Sequence, residues 1–301
     1  MATNPTVGVL MSAYNGTAYL EEQLHSIYAQ RDVEVRLLVR DDGSASAPLR
    51  AALDGEQAAG RLTWYEGPNL GPARSFMHLL RQAPAADCYA FADQDDVWLP
   101  EKLATAVERL DGTDGPALYF SQTQLVDAAL RPLPNVVIAP RLTLGEALVY
   151  QFVGGNTIVM NAAMRDVLLR YDPAYMRMHD IWCYDVALAV GAKVVFDPQP
   201  HILYRQHGSN AVGQADSWRF RWRARRQRLT TERHIRSRIA RQLLDGYADA
   251  MTAEARRLVA TAADASSSWR ARWRLVTDPA YEPADKAVAR SFRIAAMLGL
   301  F

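Results

Sequence analysis

Residues 88–103 read CYAFADQDDVWLPEKL, a short apolar run that leads directly into a group of carboxylates. The run 88–92 has the length and aromatic content of a buried strand. Asp93, Asp95 and Asp96 follow at once, and carboxylates this close repel one another unless they are solvated, protonated or bound to a cation. The stretch therefore predicts a strand whose carboxyl end carries a functional site.

A divalent metal ion that prefers oxygen ligands is the simplest way to neutralise this acidic group. Mg2+ and Mn2+ commonly bind one or two protein carboxylates and leave positions for water and phosphate oxygens. Such an ion would neutralise the charge that builds up on a leaving diphosphate. Another interpretation stays open, in which Asp95 and Asp96 cap the helix that starts near Pro100 or simply face water.

Strand and helix patterns alternate along the first part of the chain and predict a mostly parallel α/β sheet. Carboxyl ends of parallel strands meet at one edge and form the ligand crevice there, so we expect the loops that follow them to converge. The predicted strands are 7–11, 35–40, 62–65 and 88–92, the helices lie near 19–30, 49–59 and 73–82, and the polar loops are 12–16, 41–44, 68–72 and 93–96.

The first polar loop, SAYNG at 12–16, excludes two nucleotide-binding classes. It does not match GxGxxG, and no GxxxxGK[ST] sequence occurs in the chain. Neither a dinucleotide fingerprint nor a phosphate-binding P-loop is therefore present. The sequence argues against an NAD-dependent enzyme and against a P-loop ATPase.

Charge divides the chain near Asp216. Residues 1–216 carry 16 basic and 25 acidic side chains, whereas residues 217–301 carry 18 and 8. This asymmetry predicts two parts with different tasks, an acidic body over 1–216 and a basic helical region over 217–301. The basic region is expected to contact a membrane, a partner or another copy of the chain.

Cysteine usage and hydropathy indicate the compartment. Cys88 and Cys183 are the two cysteines, and their spacing fits neither a disulfide framework nor a zinc site. The first residues lack the basic and apolar segments of a signal peptide, and no segment reaches about 18 uninterrupted apolar residues. We expect a cytoplasmic protein that does not span the membrane, with attachment to the inner face of the cell membrane as an open option.

A series of short motifs makes the body resemble the family 2 glycosyltransferases with the GT-A fold, and within them bacterial rhamnosyltransferase-like enzymes of surface polysaccharide synthesis. The resemblance implies a metal-dependent enzyme that transfers a single sugar with inversion. The donor would be a UDP- or dTDP-sugar, with rhamnose as a candidate sugar, and the acceptor would be a hydroxyl of a glycan or of a lipid-linked molecule. The motifs are VGVLMSAYNG, VRDDGS, GPNLGPARSF, FADQDDVWLPEKL, GGNTIVMN, MHDIW and YRQHGSN, which span roughly residues 6–213.

The resemblance assigns ligand-binding roles to residues of these motifs. Asp41 would accept a hydrogen bond from the pyrimidine ring, and Asp95 would be the direct ligand of Mn2+ or Mg2+. Structural alternatives stay open, because Asn69 can shape a turn, Arg74 can lie on a helix surface and Tyr14 can pack on the sheet. The residues expected to bind the nucleotide are Ser12, Tyr14, Asp41, Asn69, Arg74 and Asp93, and those expected around the metal are Asp95, Asp93 and His207, the last with Arg205 beside it as a diphosphate clamp.

Asp180 is the expected catalytic base. It stands in MHDIW, just before a predicted helix that runs to about Ala189. Inversion requires a base near the acceptor hydroxyl, and the resemblance gives this role to the Asp of the motif, which follows His179 here where Glu is commoner. No QxxRW motif follows, which implies that a single sugar is transferred. As the alternative, Asp180 caps the helix and has no chemical role.

The basic region opens with WRFRWRARR at 218–226, a predicted helix. Trp218 and Trp222 share one face between arginines, a composition suited to an anionic membrane surface, and we name 218–228 as the contact. The other interpretation is that this helix packs on the body. Trp269 and Trp273 repeat the same spacing between arginines and are compatible with both interpretations. The acidic body and the absence of a recognised motif argue against nucleic acid.

Two other function classes stay open. A sugar nucleotidyltransferase would share the sheet and the metal carboxylates, but SAYNG lacks the glycine density and the basic residue of a triphosphate loop. A non-catalytic nucleotide-sugar-binding membrane scaffold would need idle carboxylates. In that case Asp95→Asn and Asp180→Asn would leave every activity unchanged.

Overall fold

The computed structural model describes residues 4–206, apart from 136, 138 and 152, and residues 234–301. Within this part eight strands form one sheet in the order β3-β2-β1-β4-β7-β6-β8-β5. Their bounds are β1 Thr6–Ala13, β2 Glu34–Asp41, β3 Thr63–Glu66, β4 Cys88–Ala92, β5 Val97–Trp98, β6 Ala117–Val126, β7 Val159–Asn161 and β8 Lys193–Arg205.

The first four strands confirm the predicted parallel sheet. β1 lies between β2 and β4, β3 pairs with β2, and all three pairings are parallel. β7 is antiparallel to both β4 and β6, and β5 is antiparallel to β8, so the sheet is mixed beyond β4. The reversal follows from the short turn at Gly155–Thr157, which brings the chain to the carboxyl edge of the parallel strands before β7 begins.

Helices cover both faces of the sheet, and the side chains of β1 alternate between the two faces. Val7 and Val9 belong to one apolar cluster, whereas Leu10 belongs to the other. This period of two is what a strand buried on both faces requires. The helices before β8 are α1 Leu20–Tyr28, α2 Ala47–Ala58, α3 Pro72–Gln82, α4 Lys102–Leu110, α5 Leu144–Ala147, α6 Ala162–Leu169 and α7 His179–Ala189.

The C-terminal region is helical, as predicted, and it packs on the body. Tyr247 lies 6.0 Å from the Trp182 ring of α7, measured between ring centroids, and Leu243 belongs to the same apolar cluster as Trp182. The described C-terminal helices therefore share a core with the catalytic body. They are α8 Ile235–Tyr247, α9 Ala253–Asp264, α10 Trp269–Thr277 and α11 Lys286–Met297.

The predicted helix at 218–226 and the membrane contact at 218–228 lie outside the described residues. Across the described ranges, no helix combines the length and the apolar character needed to cross a bilayer.

Candidate active site

A cleft of about 660 Å³ opens at the carboxyl edge of the parallel strands. Its lining confirms the predicted convergence, since each of the four polar loops contributes to it. The contributions are Ser12 and Tyr14 from the loop after β1, Asp42 after β2, Asn69 and Gly71 after β3, and Asp93, Gln94 and Asp95 after β4.

Gln94 ties the loop after β4 to the loop after β1. Its Oε1 accepts a hydrogen bond from the Tyr14 N–H at 3.0 Å, and its Nε2 donates to the Tyr14 carbonyl at 3.2 Å. A Cβ on Gly16 would collide with the Gln94 amide, so only glycine allows this approach. The phenol of Tyr14 is half exposed in the cleft and does not pack on the sheet.

Asp42 holds the loop that carries Asn69. Its carboxylate accepts hydrogen bonds from the Leu70 and Gly71 N–H groups, both at 2.9 Å, and pairs with the buried guanidinium of Arg40. The amide of Asn69 lines the cleft, and no hydrogen bond holds it within the described ranges. The sequence predictions passed over Asp42, although the doublet Asp41-Asp42 was the signal that pointed to it.

Asp41 is fully buried and does not line the cleft. One carboxylate oxygen accepts the Ser44 N–H at 2.9 Å, whereas Oδ2 is buried without a hydrogen-bond partner in the described part of the chain. A buried carboxylate oxygen without a partner is unusual, and a bound ligand with an N–H or O–H group would satisfy it.

Ser12 completes this side of the cleft, where its hydroxyl lies 2.6 Å from the Ser75 hydroxyl. We call Ser12, Tyr14, Asp42, Asn69 and Gln94 the loop wall. Most of its polar groups are held by hydrogen bonds within the protein.

Asp93 stands where the carboxylates meet. Burial raises its pKa well above the usual range, and the negative charges of Asp96, Asp95 and Asp180 raise it further. A bound divalent cation would offset the mutual repulsion of these carboxylates and favour their ionised form. Asp93 and Asp95 both line the cleft.

Asp96 is buried below the cleft and does not cap a helix. It accepts hydrogen bonds from the Asn156 side chain and the Arg205 N–H, and burial raises its pKa to about 7. α4 begins only at Lys102, after Glu101, so the predicted alternative of helix capping by Asp95 or Asp96 is wrong. Asp96 instead positions Asn156, which lines the cleft.

Asp180 lies in the first turn of α7 and faces the cleft. Its two oxygens accept the Ile181 N–H at 2.7 Å and the Gly155 N–H at 3.2 Å. Burial nevertheless raises the pKa of this carboxyl to about 6. The placement at a helix N-terminus is as predicted, and the raised pKa suits a group that must exchange a proton near neutral pH.

His179 precedes Asp180 and is buried in the cleft lining, with both ring nitrogens lacking a hydrogen-bond partner in the described part of the chain. The ring stacks on Phe76 at 4.1 Å between centroids and meets Phe91 edge-on at 4.8 Å. Burial lowers the pKa of His179 to about 3, so the imidazole is neutral at physiological pH. A Cβ on Gly155 would collide with this ring, which explains the glycine.

Ser121 brings a further unsatisfied group, a buried hydroxyl on the cleft lining without a hydrogen-bond partner among the described residues. It lies inside β6, where the register with β8 shifts next to Ser121. A bulge of this kind redirects side chains, and no sequence pattern revealed it. We call Ser121, Gly155, Asn156, His179 and Asp180 the helix wall.

Two arginines from the sequence predictions lie elsewhere. Arg74 does not line the cleft, and its guanidinium donates to the carbonyls of Pro173 and Ala174 ahead of α7. Arg205 is buried, donates to the Asp95 carbonyl at 3.0 Å and pairs with Glu22. Arg205 thus supports the acidic loop and does not line the cleft, and its role as a diphosphate clamp stays a prediction.

The oxygen donors of Asp93 and Asp95 fit a hard divalent cation in an open site. His207, the third predicted metal ligand, lies outside the described residues. Within the described ranges, no three acidic, histidine or cysteine side chains are grouped as a closed metal cage. An ion held by one or two carboxylates needs no such cage, because substrate phosphates and water complete its shell.

Comparison with known proteins relates the chain to glycosyltransferases. Residues 8–135 match the model of glycosyl transferase family 2. The chain is 23% identical over 235 residues to the dTDP-rhamnosyl transferase RfbG of Shigella flexneri, which covers 71% of this chain and 77% of that protein.

Two solved structures share the fold. The S. aureus TarS 1–349 complex with UDP-GlcNAc is similar with a TM-score of 0.55 at 16% identity, covering 97% of this chain and 90% of that one. The mannosyltransferase PcManGT from Pyrobaculum calidifontis, in complex with GDP-Man and Mn2+, has a TM-score of 0.53 at 20% identity, covering 98% and 86%.

The fold is that of a GT-A glycosyltransferase. Residues 8–135 are those of a family 2 glycosyltransferase, and among curated proteins the chain is similar to a rhamnosyltransferase. This assignment decides against the sugar nucleotidyltransferase and the non-catalytic scaffold.

Proposed function

We propose that this enzyme transfers a single sugar, with inversion, from a pyrimidine nucleoside diphosphate to an acceptor hydroxyl. The observation that carries the proposal is the meeting of Asp93, Asp95 and Asp180 at one cleft, with four strand-end loops around it. Rhamnose is the favoured sugar, because the similar Shigella protein is named for dTDP-rhamnosyl transfer. The product would belong to a bacterial surface polysaccharide or glycolipid.

Asp180 is proposed as the base. Its carboxylate takes the proton of the acceptor hydroxyl, so that the hydroxyl oxygen attacks the sugar carbon opposite the leaving diphosphate. Hydrogen bonds from the Ile181 and Gly155 N–H groups fix the direction of the carboxylate. The pKa of about 6 leaves most of it ionised at neutral pH while it remains basic enough to accept the proton.

Asp95 and Asp93 are proposed to hold Mn2+ or Mg2+. The bound ion would supply electrostatic stabilisation of the diphosphate as negative charge develops on it. Arg205 supports this role indirectly, since its side chain donates to the Asp95 carbonyl from a buried position. Arg205 thus fixes the backbone that presents the candidate ligand.

The loop wall is proposed to bind the nucleoside. The half-exposed ring of Tyr14 offers a stacking surface for the base, and the amide of Asn69 has free hydrogen-bonding groups. The unpartnered Oδ2 of Asp41 remains the candidate acceptor for a pyrimidine N–H, although it lies behind the cleft surface in this structure.

Calorimetric titration of the full chain with UDP, dTDP, GDP and ADP, each with Mn2+ or with chelator, tests the proposal. We expect metal-dependent binding of one pyrimidine diphosphate that Asp95→Asn abolishes. Asp114→Asn, an exposed acid in the turn before β6, is the matched control and should bind like the wild type. Absence of nucleotide binding in the wild type, or equal binding with chelator, would overturn the donor and metal assignments.

A further inference from the structure

Two neighbouring C-terminal helices expose large apolar side chains that the catalytic cleft does not use. Trp269 and Trp273 stand one turn apart on α10, while Ala271 and Leu275 of the same helix are buried. On and just after α11, the exposed large apolar side chains are aliphatic. Trp269, Trp273, Ile294, Met297 and Leu298, which we call the C-terminal patch, are between 50% and 69% exposed.

The two helices adjoin each other. The Arg272 guanidinium of α10 lies where a Cβ on Gly299 would stand, just after Leu298. Arg272 is fixed there by hydrogen bonds to the carbonyls of Ala265 at 2.8 Å and Ser266 at 2.9 Å. The end of α11 is thus held beside α10, next to the tryptophan face.

The charge on these helices has one sign. α10 carries three arginines, α11 carries one lysine and two arginines, and neither contains an acidic residue. Arg270, Arg274 and Arg290 are exposed, and none of them pairs with a carboxylate in the described part of the chain. Unneutralised arginines beside exposed indole rings form a surface of combined apolar and cationic character.

We propose that the C-terminal patch docks the enzyme on the surface of an anionic lipid bilayer. Indole rings partition to the boundary between headgroups and acyl chains, aliphatic side chains enter the apolar layer, and arginines pair with anionic headgroups. A second copy fits poorly, because a twofold contact would bring the same unpaired arginines against one another. Nucleic acid would leave Ile294 and Leu298 without an apolar partner.

Sedimentation of the full chain with extruded vesicles tests the proposal. We expect binding to vesicles of equal parts phosphatidylglycerol and phosphatidylcholine, weak binding to phosphatidylcholine alone, and loss of binding at high salt. Trp269→Ala combined with Trp273→Ala should lower the partition coefficient about tenfold or more. Arg270→Gln combined with Arg274→Gln should lower it about tenfold on the anionic vesicles only.

Matched substitutions on the body separate patch docking from general effects. Val137→Ala removes an exposed apolar side chain, and Arg31→Gln removes an exposed arginine, so both should bind vesicles like the wild type. Retained nucleotide binding would show that the patch variants are folded. Equal vesicle binding by wild type and patch variants would overturn the proposal, as would a dimer in light scattering that the tryptophan substitutions dissolve.

Discussion

The two walls of the cleft differ in how their polar groups are satisfied. On the loop wall, the side chains of Gln94 and Asp42 form hydrogen bonds with the backbone of neighbouring loops. On the helix wall, the ring nitrogens of His179 and the hydroxyl of Ser121 are buried without partners in the described chain, and Asp180 has a raised pKa. One wall is built to keep its shape, whereas the other retains unsatisfied groups.

This difference separates binding from chemistry. Unsatisfied buried groups cost stability, so they persist where a ligand satisfies them or where the reaction uses them. Substitutions on the helix wall should therefore act on turnover, and substitutions on the loop wall on the affinity for the donor. The following predictions test that division.

The largest effect is expected for Asp180→Asn. Loss of the base should lower kcat by about 10²-fold to 10⁴-fold while the affinity for the nucleotide stays near that of the wild type. Single-turnover transfer and calorimetry with the same variant measure the two quantities. Asp185→Asn, a buried acid on the same helix that does not line the cleft, is the matched control and should keep kcat within about twofold. Comparable losses in both variants would mean that Asp180 acts through the fold.

The pH dependence of kcat should follow the ionisation of Asp180. Because its folded pKa is about 6 and the base must be ionised, kcat should fall as the pH drops through about 6. The charged neighbours are Arg177, which favours ionisation, and Asp93 and Asp185, which oppose it, while His179 stays neutral. The residual activity of Asp180→Asn should lack this step. The measurement is kcat of the wild type at intervals of about one pH unit between about pH 5 and about pH 8. A kcat that does not change over this range would contradict the assignment.

His179→Phe separates the ring nitrogens from the ring itself. Phenylalanine keeps the stacking on Phe76 and the edge contact with Phe91, so the melting temperature should change little. If a nitrogen of His179 contacts donor or acceptor, kcat/KM should fall about tenfold. Steady-state kinetics together with thermal denaturation distinguishes a ligand contact by a ring nitrogen from a packing role of the ring. Unchanged kinetics would show that the unpartnered nitrogens serve only the fold.

The first half of the sheet was readable from sequence because each strand there is a short apolar run closed by turn residues. The run 88–92 became β4 with the same bounds, and Asp180 fell in the first helical turn as expected. Ser121 was beyond prediction, because its exposure to the cleft depends on a bulge between β6 and β8, far apart in sequence. The contacts of Arg74 were beyond prediction for a related reason, since Pro173 and Ala174 lie about a hundred residues later in the chain.

Gln94→Ala should act on the loop wall and so raise KM. Two hydrogen bonds to the Tyr14 backbone are lost, each worth about 1 kcal/mol, so the donor KM should rise by up to about 30-fold while kcat stays within about twofold. Gln57→Ala is the matched control, because it removes a hydrogen bond from the Trp64 N–H on β3 to a glutamine side chain outside the cleft. This variant should leave KM and kcat unchanged. A fall in kcat without a change in KM would break the division between the walls.

The smallest effect on activity, with a measurable effect on stability, is expected at Asp185. This carboxyl is buried on α7 with Gln151 donating to both oxygens, and burial raises its pKa to about 7. The folded protein therefore holds this proton more tightly than the unfolded chain, so the free energy of unfolding should decrease as the pH rises from about 4 to about 7. Asp185→Asn removes the ionisation and should make the protein about 1–3 kcal/mol more stable at pH 8 and change little at pH 4. Urea denaturation at the two pH values measures both, and equal stability of variant and wild type at pH 8 would show that the carboxylate is already stabilised by its neighbours.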